Sequence, residues 1–286
     1  MNYAALIQNR KSVREFQDKT VPFALLERLK AHYQKHVRRL IDELPTELYF
    51  FGTDAREALE GAAGYHNFLV GAPQYMVLLT AGHSQAGLNA GFIMEDMVLK
   101  LTELELDSCW VTFTDSRHVK DALGMENDLE VAAIVAFGYG VRAVRRLRLN
   151  IKSMSNIDII AKRHYFEPKV SVGELVHRDQ WGSRDGLEDA IGFYDDMLWE
   201  AFYAASLAPS YLNRQAYGFV LHGGSVTLVQ RPDEYNTPID GELSLGIVLH
   251  HFTAVAENWS GKLRWHFGGS DLVLPEGYKA IATAAL

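Results

Sequence analysis

Near its amino terminus the sequence reads Asn9-Arg10-Lys11-Ser12-Val13-Arg14-Glu15-Phe16, followed by the turn-like Lys19-Thr20-Val21-Pro22. At a helix end, or in an extended segment leaving one, Arg10, Ser12 and Arg14 can converge on one small volume. Guanidinium forks match phosphate oxygens two at a time, and a hydroxyl adds a short charge-assisted bond. The pattern therefore predicts a phosphomonoester site. The alternative is a basic cluster that simply faces water.

A second polar stretch, Ala208-Pro209-Ser210-Tyr211-Leu212-Asn213-Arg214-Gln215, ends a helix and opens a strand. Ser210, Asn213 and Gln215 offer hydrogen-bond donors and acceptors without charge, which suits the edge of a heteroaromatic ring or a ribityl chain. The alternative is an ordinary polar turn, which Pro, Ser and Asn favour anyway.

Composition limits the classes of protein to consider. The chain has 286 residues, of which 48% are hydrophobic and 22% charged, so it can bury a full core in one large domain or two small ones. The net charge is −8, and basic residues form a run only at 142–148. This argues against nucleic-acid and membrane-surface partners.

Cys109 is the only cysteine, so no internal disulfide or Cys-based metal cluster can form. It is flanked by Trp110 and predicted to be buried, which favours a packed thiol over a nucleophile. The amino terminus lacks a signal-like apolar region, and no run approaches the ~18 apolar residues of a membrane span. We therefore expect a cytoplasmic protein.

Periodicity predicts helices over 3–8, 22–39, 57–67, 89–104, 118–123, 192–207 and 241–257, and strands over 75–80, 108–113, 131–137, 217–222 and 225–230. Residues 150–170 are polar and mixed, as expected of a connector. A strand, a long apolar helix and another strand recur on both sides of it. We predict an α+β protein with halves 1–150 and 171–286 around a connector at 151–170.

Together the two polar stretches resemble the hallmark motifs of the FMN-dependent nitroreductase family, in its single-chain, duplicated TM-nitroreductase-like branch. The first matches Arg-x-Ser-x-Arg-x-Phe before Val-Pro, and the second matches Ala-Pro-Ser-x-x-Asn-x-Gln. The resemblance implies a nitroreductase-like fold in which two similar α/β halves, each a mainly antiparallel sheet flanked by helices, form an internal pseudo-dimer. One half would hold the FMN phosphate and ribityl end, and the turn of the other would cover the flavin.

The resemblance also implies the site residues. The segment from Leu104 to Phe113 looks like the one that passes the flavin ring, with backbone N–H groups of Thr112 and Phe113 at its N5 side. Basic residues after Gly138-Tyr139-Gly140 would reach the phosphate; of Arg142, Arg145, Arg146 and Arg148, the last two share a strand face. The implied cofactor-binding set is Arg10, Lys11, Ser12, Arg14, Trp110, Val111, Thr112, Phe113, Arg146, Arg148, Pro209, Ser210, Asn213 and Gln215.

The implied activity is that of an NAD(P)H oxidoreductase with one FMN per chain. NADH or NADPH would reduce the flavin, and a nitroaromatic or quinone-like small molecule would reoxidise it in a ping-pong cycle that uses no catalytic side chain. The alternatives are a flavin carrier or sensor without turnover, and a related chemistry such as reductive dehalogenation or flavin fragmentation. We expect a monomer or a weak homo-oligomer.

The remaining titratable clusters are assigned no functional role from the sequence. His250 and His251 lie in an apolar helix without a carboxylate or third ligand at useful spacing, so no metal site is predicted. The pairs Glu95-Asp96 and Asp195-Asp196 are interpreted as solvated helix faces.

Overall fold

The computed structural model describes residues 1–66, 68–141, 146–153, 156–162, 168–187, 195–268 and 271–286, with the backbone alone for 146–153, 156–162 and 195–196. The helices are α1 Tyr3–Asn9, α2 Phe23–Lys35, α3 Ala55–Leu59, α4 Ala86–Glu103, α5 Ser116–Ala122, α6 Val172–Leu175, α7 Asp195–Ser206 and α8 Pro238–Ser260. The strands are β1 Thr46–Phe51, β2 Gln74–Thr80, β3 Asp107–Val111, β4 Glu130–Gly138, β5 Arg146–Ser153, β6 Asn156–Lys162, β7 Val176–Arg178, β8 Tyr217–His222, β9 Ser225–Gln230, β10 His266–Phe267 and β11 Lys279–Ala285. Helices thus flank mainly antiparallel sheets, and the α+β prediction is confirmed.

The two larger sheets repeat one strand order. In the first sheet the order is β1-β2-β4-β3, with every neighbour antiparallel. In the second sheet β8-β9-β11-β10 follow the same order in the same antiparallel sense. The edge strand β7 is added parallel to β8. Since α4 connects β2 to β3 and α8 connects β9 to β10, the two halves share the same connectivity around their long helices.

The first sheet is covered on both faces. Met76 and Leu78 of β2 pack into the cluster that contains α4, whereas Tyr75, Val77 and Leu79 pack into the cluster that contains α3 and α5. Successive side chains of a strand point to opposite faces. This double burial explains why β2 is a continuous apolar run in the sequence.

The long helices α4 and α8 join the two halves. A Cβ atom added to Gly91 would lie 2.3 Å from the carbonyl oxygen of Leu243, and one added to Gly246 would lie 2.0 Å from that of Leu88. The contacts are reciprocal. Leu243 lies three positions before Gly246, and Leu88 lies three positions before Gly91. This is the pattern that a two-fold relation between the helices produces. Both positions require the absence of a side chain.

We expect Gly246→Ala to destabilise the protein by about 1–3 kcal/mol, since the added methyl group meets backbone atoms that cannot rotate away. Gly241→Ala in the same helix is the matched control. Its Cβ atom would find only the side-chain atoms of Gln230 and Asn236, at 3.6 and 3.9 Å, and alanine favours helix by up to about 1 kcal/mol. Urea unfolding followed by circular dichroism measures both. Equal midpoints for the two variants would contradict the close helix crossing.

Several sequence-based elements need correction. The predicted helix over 57–67 is wrong beyond Leu59, because Gly61 and Gly64 have φ values of 85° and 109° and turn the chain. This turn instead bonds to the residue that follows β3: the N–H of Gly64 donates to the carbonyl of Thr112 over 2.8 Å. The helix predicted to reach residue 39 ends at Lys35.

Other corrections concern strands. Part of the predicted connector pairs as an antiparallel hairpin of β5 and β6. The sequence patterns missed β1, β7, β10 and β11. Strands β7 and β10 are only three and two residues long, and β1 and β11 bury few of their positions. Among the described residues, we find no helix long and apolar enough to cross a bilayer.

Candidate functional site

The basic segment leaves α1 and runs along the edge of the first sheet. Arg10 caps α1, its N–H donating to the carbonyl of Leu6 over 2.8 Å. Ser12 then forms a parallel bridge with Ser108 of β3, and the N–H of Val13 donates to the carbonyl of Ser108 over 2.9 Å. Ser12 and Arg14 are exposed. The pairing therefore fixes the backbone of the segment while its hydroxyl and one guanidinium group remain accessible.

The Arg10 side chain turns inward. Only 8% of it is exposed; its Nη1 donates to the Ser12 hydroxyl over 3.4 Å, and its Nε lies 3.6 Å from Oε1 of Glu95. The Nε atom is buried and lacks a hydrogen-bond partner among the described residues. A buried, unsatisfied N–H beside an accessible hydroxyl fits an anionic oxygen ligand such as a phosphate.

Glu95 is the centre of a buried polar cluster, so its interpretation as a solvated residue was wrong. It is fully buried, accepts from Nε1 of Trp110 over 3.1 Å, and lies 2.9 Å from Nε2 of His251. Burial alone would raise the pKa of Glu95, but the hydrogen bond and charge of His251 and the charge of Arg10 lower it. Nδ1 of His251 faces the carbonyl of Ala204 at 3.0 Å. Both ring nitrogens face acceptors, so both contacts are hydrogen bonds only if Nδ1 carries a proton and a second proton lies between Nε2 and Glu95.

Asp96 is also fully buried, again in contrast to the prediction. It accepts from the Tyr3 hydroxyl (2.8 Å) and lies within hydrogen-bond distance of His32 (2.7 Å) and His250 (3.0 Å). The backbone N–H of Arg38 donates to it over 3.3 Å. Burial alone would raise the pKa of Asp96, but the bonds and charges of the two histidines hold it well below its ordinary value. The cluster connects α1, α2, α4 and α8.

The end of β3 contacts the start of α8. The Thr112 hydroxyl lies 2.9 and 3.0 Å from the two carboxylate oxygens of Asp240, which is 6% exposed. Burial raises the pKa of Asp240, although the bonds from Thr237 and Thr112 oppose the shift. One turn later, the Ser244 hydroxyl accepts from the N–H of Tyr211 over 3.2 Å. The strand of the first half and the turn of the second half therefore meet at the same helix end.

The second polar stretch forms a strained turn. Leu212, Asn213 and Gln215 have φ values of 48°, 56° and 45°, in a region that non-glycine residues rarely adopt. Such conformations cost about 1–3 kcal/mol each and concentrate at functional sites. The turn is held by the Ser210 hydroxyl, which accepts from the N–H of Gln215 over 2.9 Å. The turn contacts the first half through Tyr211 and Tyr65, whose ring centroids lie 6.3 Å apart.

The amide side chains of the turn hold the chain that enters the second half. Asn213 donates to the carbonyl of Pro168 over 2.8 Å and accepts from Lys169 over 2.7 Å. Gln215, which is 1% exposed, accepts from the N–H of Val170 over 2.9 Å. These amides were predicted to read a heteroaromatic ring. In the structure they bind the backbone or side chains of 168–170.

The other predicted site residues differ in their surroundings. Val111 and Phe113 are core residues at the β3 edge, 5% and 2% exposed, and Lys11 is exposed. Arg142 and Arg145 lie outside the described residues, and Arg146 and Arg148 are described by their backbone in β5 alone. Sequence reasoning missed Tyr65 and Asp240, although Thr237-Pro238 with an acidic residue two positions later is a helix-start signal.

Comparison with protein families gives one match. Residues 2–171, more than half of the chain, match the family described as "Putative TM nitroreductase". Comparison with curated proteins gives no match.

Solved structures are similar at low sequence identity. The structure of a "putative nitroreductase" from Thermotoga maritima covers 100% of this chain and 94% of its own, with 19% identity and a TM-score of 0.56, which establishes the fold over the whole chain. A nitroreductase family protein from Clostridium difficile covers 50% of this chain and 87% of its own, with 22% identity and a TM-score of 0.44. A protein from the same species, named as an FMN-dependent nitroreductase, covers 47% and 86%, with 17% identity and a TM-score of 0.39.

Proposed function

The chain belongs to the "Putative TM nitroreductase" family, and from this premise we propose that it is an FMN-dependent NAD(P)H oxidoreductase that reduces nitroaromatic or quinone-like small molecules. Family membership supports the oxidoreductase class. The proposal is supported by an indirect connection between two motifs distant in sequence, which runs through β3 and the start of α8. The basic segment lies along β3 through Ser12 and Ser108, and the end of β3 reaches the turn at Tyr211 through Asp240 and Ser244.

The basic segment would hold the phosphate of FMN. The Ser12 hydroxyl and the Arg14 guanidinium group are exposed, and Nη1 of Arg10 reaches the Ser12 hydroxyl at 3.4 Å. The buried charge of Glu95 balances that of Arg10 when no phosphate is bound. Lys11, Arg146 and Arg148 would add positive charge around the same phosphate, which is the role that the family resemblance gives them.

The flavin ring would lie along β3 toward the turn. Ser108 and Thr112 are four residues apart, or about 13 Å along an extended strand, so one strand can serve the phosphate end and the ring end of a long cofactor. Backbone groups from Trp110 to Phe113 would line one side, and the turn from Pro209 to Gln215 would cover the other. The strain in this turn supports its assignment to a binding role.

Bound FMN would supply the redox chemistry, accepting a hydride from NADH or NADPH and returning two electrons to the acceptor. The side chains of this protein bind and orient. Thr112 is fixed by its bond to Asp240, which holds the backbone N–H groups of Thr112 and Phe113 in place as donors to the ring edge. No side chain is assigned as a proton donor or nucleophile.

We further propose that the two halves form an internal pseudo-dimer with one FMN per chain. The repeated strand order and the reciprocal contacts of Gly91 and Gly246 support this arrangement. The halves differ in their motifs: the first carries the phosphate-binding residues and the second carries the covering turn. Only one complete site can then be assembled. Titration of purified protein with FMN should saturate at one equivalent per chain.

Anaerobic mixing with NADH or NADPH tests the activity. We expect the absorption band of the FMN-loaded protein to bleach within seconds, and to return when a nitroaromatic such as p-nitrobenzoate or a quinone such as menadione is added. The FMN-loaded protein mixed with NAD⁺ is the control. Stable flavin binding without bleaching would exclude the reductase and favour a carrier. Bleaching without reoxidation by either acceptor would favour another flavin chemistry.

A further inference from the structure

The second half contains a pocket that adjoins the turn of the candidate site, since two of its lining residues, Val170 and Arg231, donate hydrogen bonds to Gln215. Its volume is about 380 Å³, and none of its lining residues belongs to the set predicted from the sequence. It is lined by Val170, Glu174, His177, Trp181, Gly182, Arg184, Tyr217, Arg231 and Tyr278. A volume of this size lies within the range of small-molecule sites.

Aromatic rings form one wall of this pocket. The rings of Trp181 and His177 have centroids 4.1 Å apart, and those of Trp181 and Tyr278 are 5.1 Å apart. Trp181 lies directly on Gly218, where an added Cβ atom would be 2.7 Å from the indole ring. The glycine thus allows the ring to lie against the strand backbone. The wall presents flat apolar surfaces to a ligand.

Two buried nitrogen atoms that line the pocket have no hydrogen-bond partner in the described part of the chain. His177 is 5% exposed, and its Nδ1 is buried without a hydrogen-bond partner among the residues that the structure describes. The Nε of Arg231 is in the same situation, although its Nη2 donates to the carbonyl of Gln215 over 2.7 Å. Unsatisfied buried polar groups are uncommon in folded proteins. The Nε of Arg231 is a donor, and Nδ1 of His177 is a donor in one of its two neutral tautomers, so a ligand with acceptor oxygens would satisfy both.

Two residues that line the pocket, Arg184 and Arg231, carry positive charge. Burial, followed by the charges of Arg184 and Arg231, lowers the pKa of His177 to about 4. Two guanidinium groups therefore act on the same imidazole. Glu174 also lines the pocket and accepts from the N–H and hydroxyl of Ser171 at 3.2 and 2.8 Å. Its negative charge offsets one of the two guanidinium charges and leaves a net charge of about +1. The remaining positive charge is available to an anion.

We propose that this pocket binds a small planar aromatic carboxylate, with the carboxylate facing Arg184, Arg231 and His177 and the ring against Trp181 and Tyr278. Guanidinium groups match a carboxylate through paired hydrogen bonds. The aromatic wall accounts for the ring, which a phosphate or acetate ion would leave without contacts. Such a ligand could be bound together with FMN, since the pocket uses none of the proposed FMN residues.

Titration of the full-length protein with benzoate tests this proposal, with calorimetry and tryptophan fluorescence as readouts. We expect a Kd of about 1 mM or tighter, a value that corresponds to modest contacts from a nine-atom ligand. Benzamide has the same ring without the charge and should bind at least about tenfold more weakly. Acetate and inorganic phosphate lack the ring and should also bind more weakly than benzoate.

Two variants in the pocket and one outside it test whether benzoate binds in this pocket. Arg184→Gln should weaken benzoate binding at least about tenfold, whereas Arg264→Gln, at an exposed arginine of the same half, should leave it unchanged. His177→Phe keeps a ring beside Trp181 and removes Nδ1, and it should weaken benzoate more than benzamide. Circular dichroism checks that each variant folds. Equal binding of benzoate and benzamide, equal effects of the two arginine variants, or no binding of benzoate at millimolar concentration would overturn the proposal.

Discussion

Asp96→Ala is expected to destabilise the protein by about 3–5 kcal/mol, because removal of one member of a buried charged cluster leaves its partners uncompensated. Tyr3, His32 and His250 would each lose the carboxylate that they contact at 2.7–3.0 Å. Folded proteins are stable by only about 5–15 kcal/mol in total. Urea unfolding at neutral pH, followed by tryptophan fluorescence, measures the change in midpoint.

Asp121→Ala is the matched control, since Asp121 is an exposed acid on α5 and surface changes usually stay within about 0.5 kcal/mol. The pH dependence provides a second check. Because the folded state lowers the pKa of Asp96, its stabilisation is present above the unfolded pKa near 4 and is lost as the pH falls below it. The difference in the free energy of unfolding between the wild type and Asp96→Ala should therefore become smaller at acid pH. A difference in unfolding free energy that stays constant from pH 7 to pH 3 would refute the assignment of Asp96 as ionised in the folded protein.

Ser12→Ala combined with Arg14→Ala is expected to weaken FMN binding by about 100-fold or more. Each bond to a charged phosphate contributes about 1.5–3 kcal/mol, and the double variant removes two of them. Both side chains are exposed, so the fold should be preserved. The measurement is the flavin absorbance retained per chain after gel filtration, together with the Kd from a fluorescence titration with FMN.

Arg28→Ala, at an exposed arginine on α2, controls for a general loss of positive charge and should retain its flavin. Arg10 is a poorer choice for this experiment, because its guanidinium group also compensates the buried Glu95. A substitution there would combine loss of the ligand with loss of stability. If the Ser12 and Arg14 double variant keeps one equivalent of tightly bound FMN, the phosphate site lies elsewhere.

Much of the fold follows from the sequence because its central elements are strongly patterned. The apolar run of β2 and the long helices α4 and α8 were predicted within a few residues of their observed bounds. The errors arise where tertiary contacts override local preference. The helical pattern around 57–67 is interrupted because glycines at positive φ bring the chain against Thr112. The edge strands of two or three residues carry too few positions to show a period.

The candidate site, too, could be predicted from the sequence only in part. The motif residues around Ser12 and Ser210 are recognisable from their types and spacing, whereas the residues that position them are not. Glu95 and Asp96 look like solvated acids, because their partners His250 and His251 lie more than 150 positions away. Neither partner carries a local signal. A buried ionic cluster between distant helices can be found only when the fold brings the helices together.

Glu95 contacts His251 and Asp96 contacts His250. This pairing affects which lobes of the protein can pack against each other. If α4 packed on another α4 in the same reciprocal manner, each Glu95 would face an Asp96, and four carboxylates would meet in a dry interface. Two like charges 4 Å apart repel by roughly 4 kcal/mol even at moderate dielectric. Association of two amino-terminal lobes through α4 is therefore disfavoured, because their carboxylates would repel. The charges of Glu95 and Asp96 therefore favour contact of an amino-terminal lobe with a carboxy-terminal lobe over contact between two amino-terminal lobes.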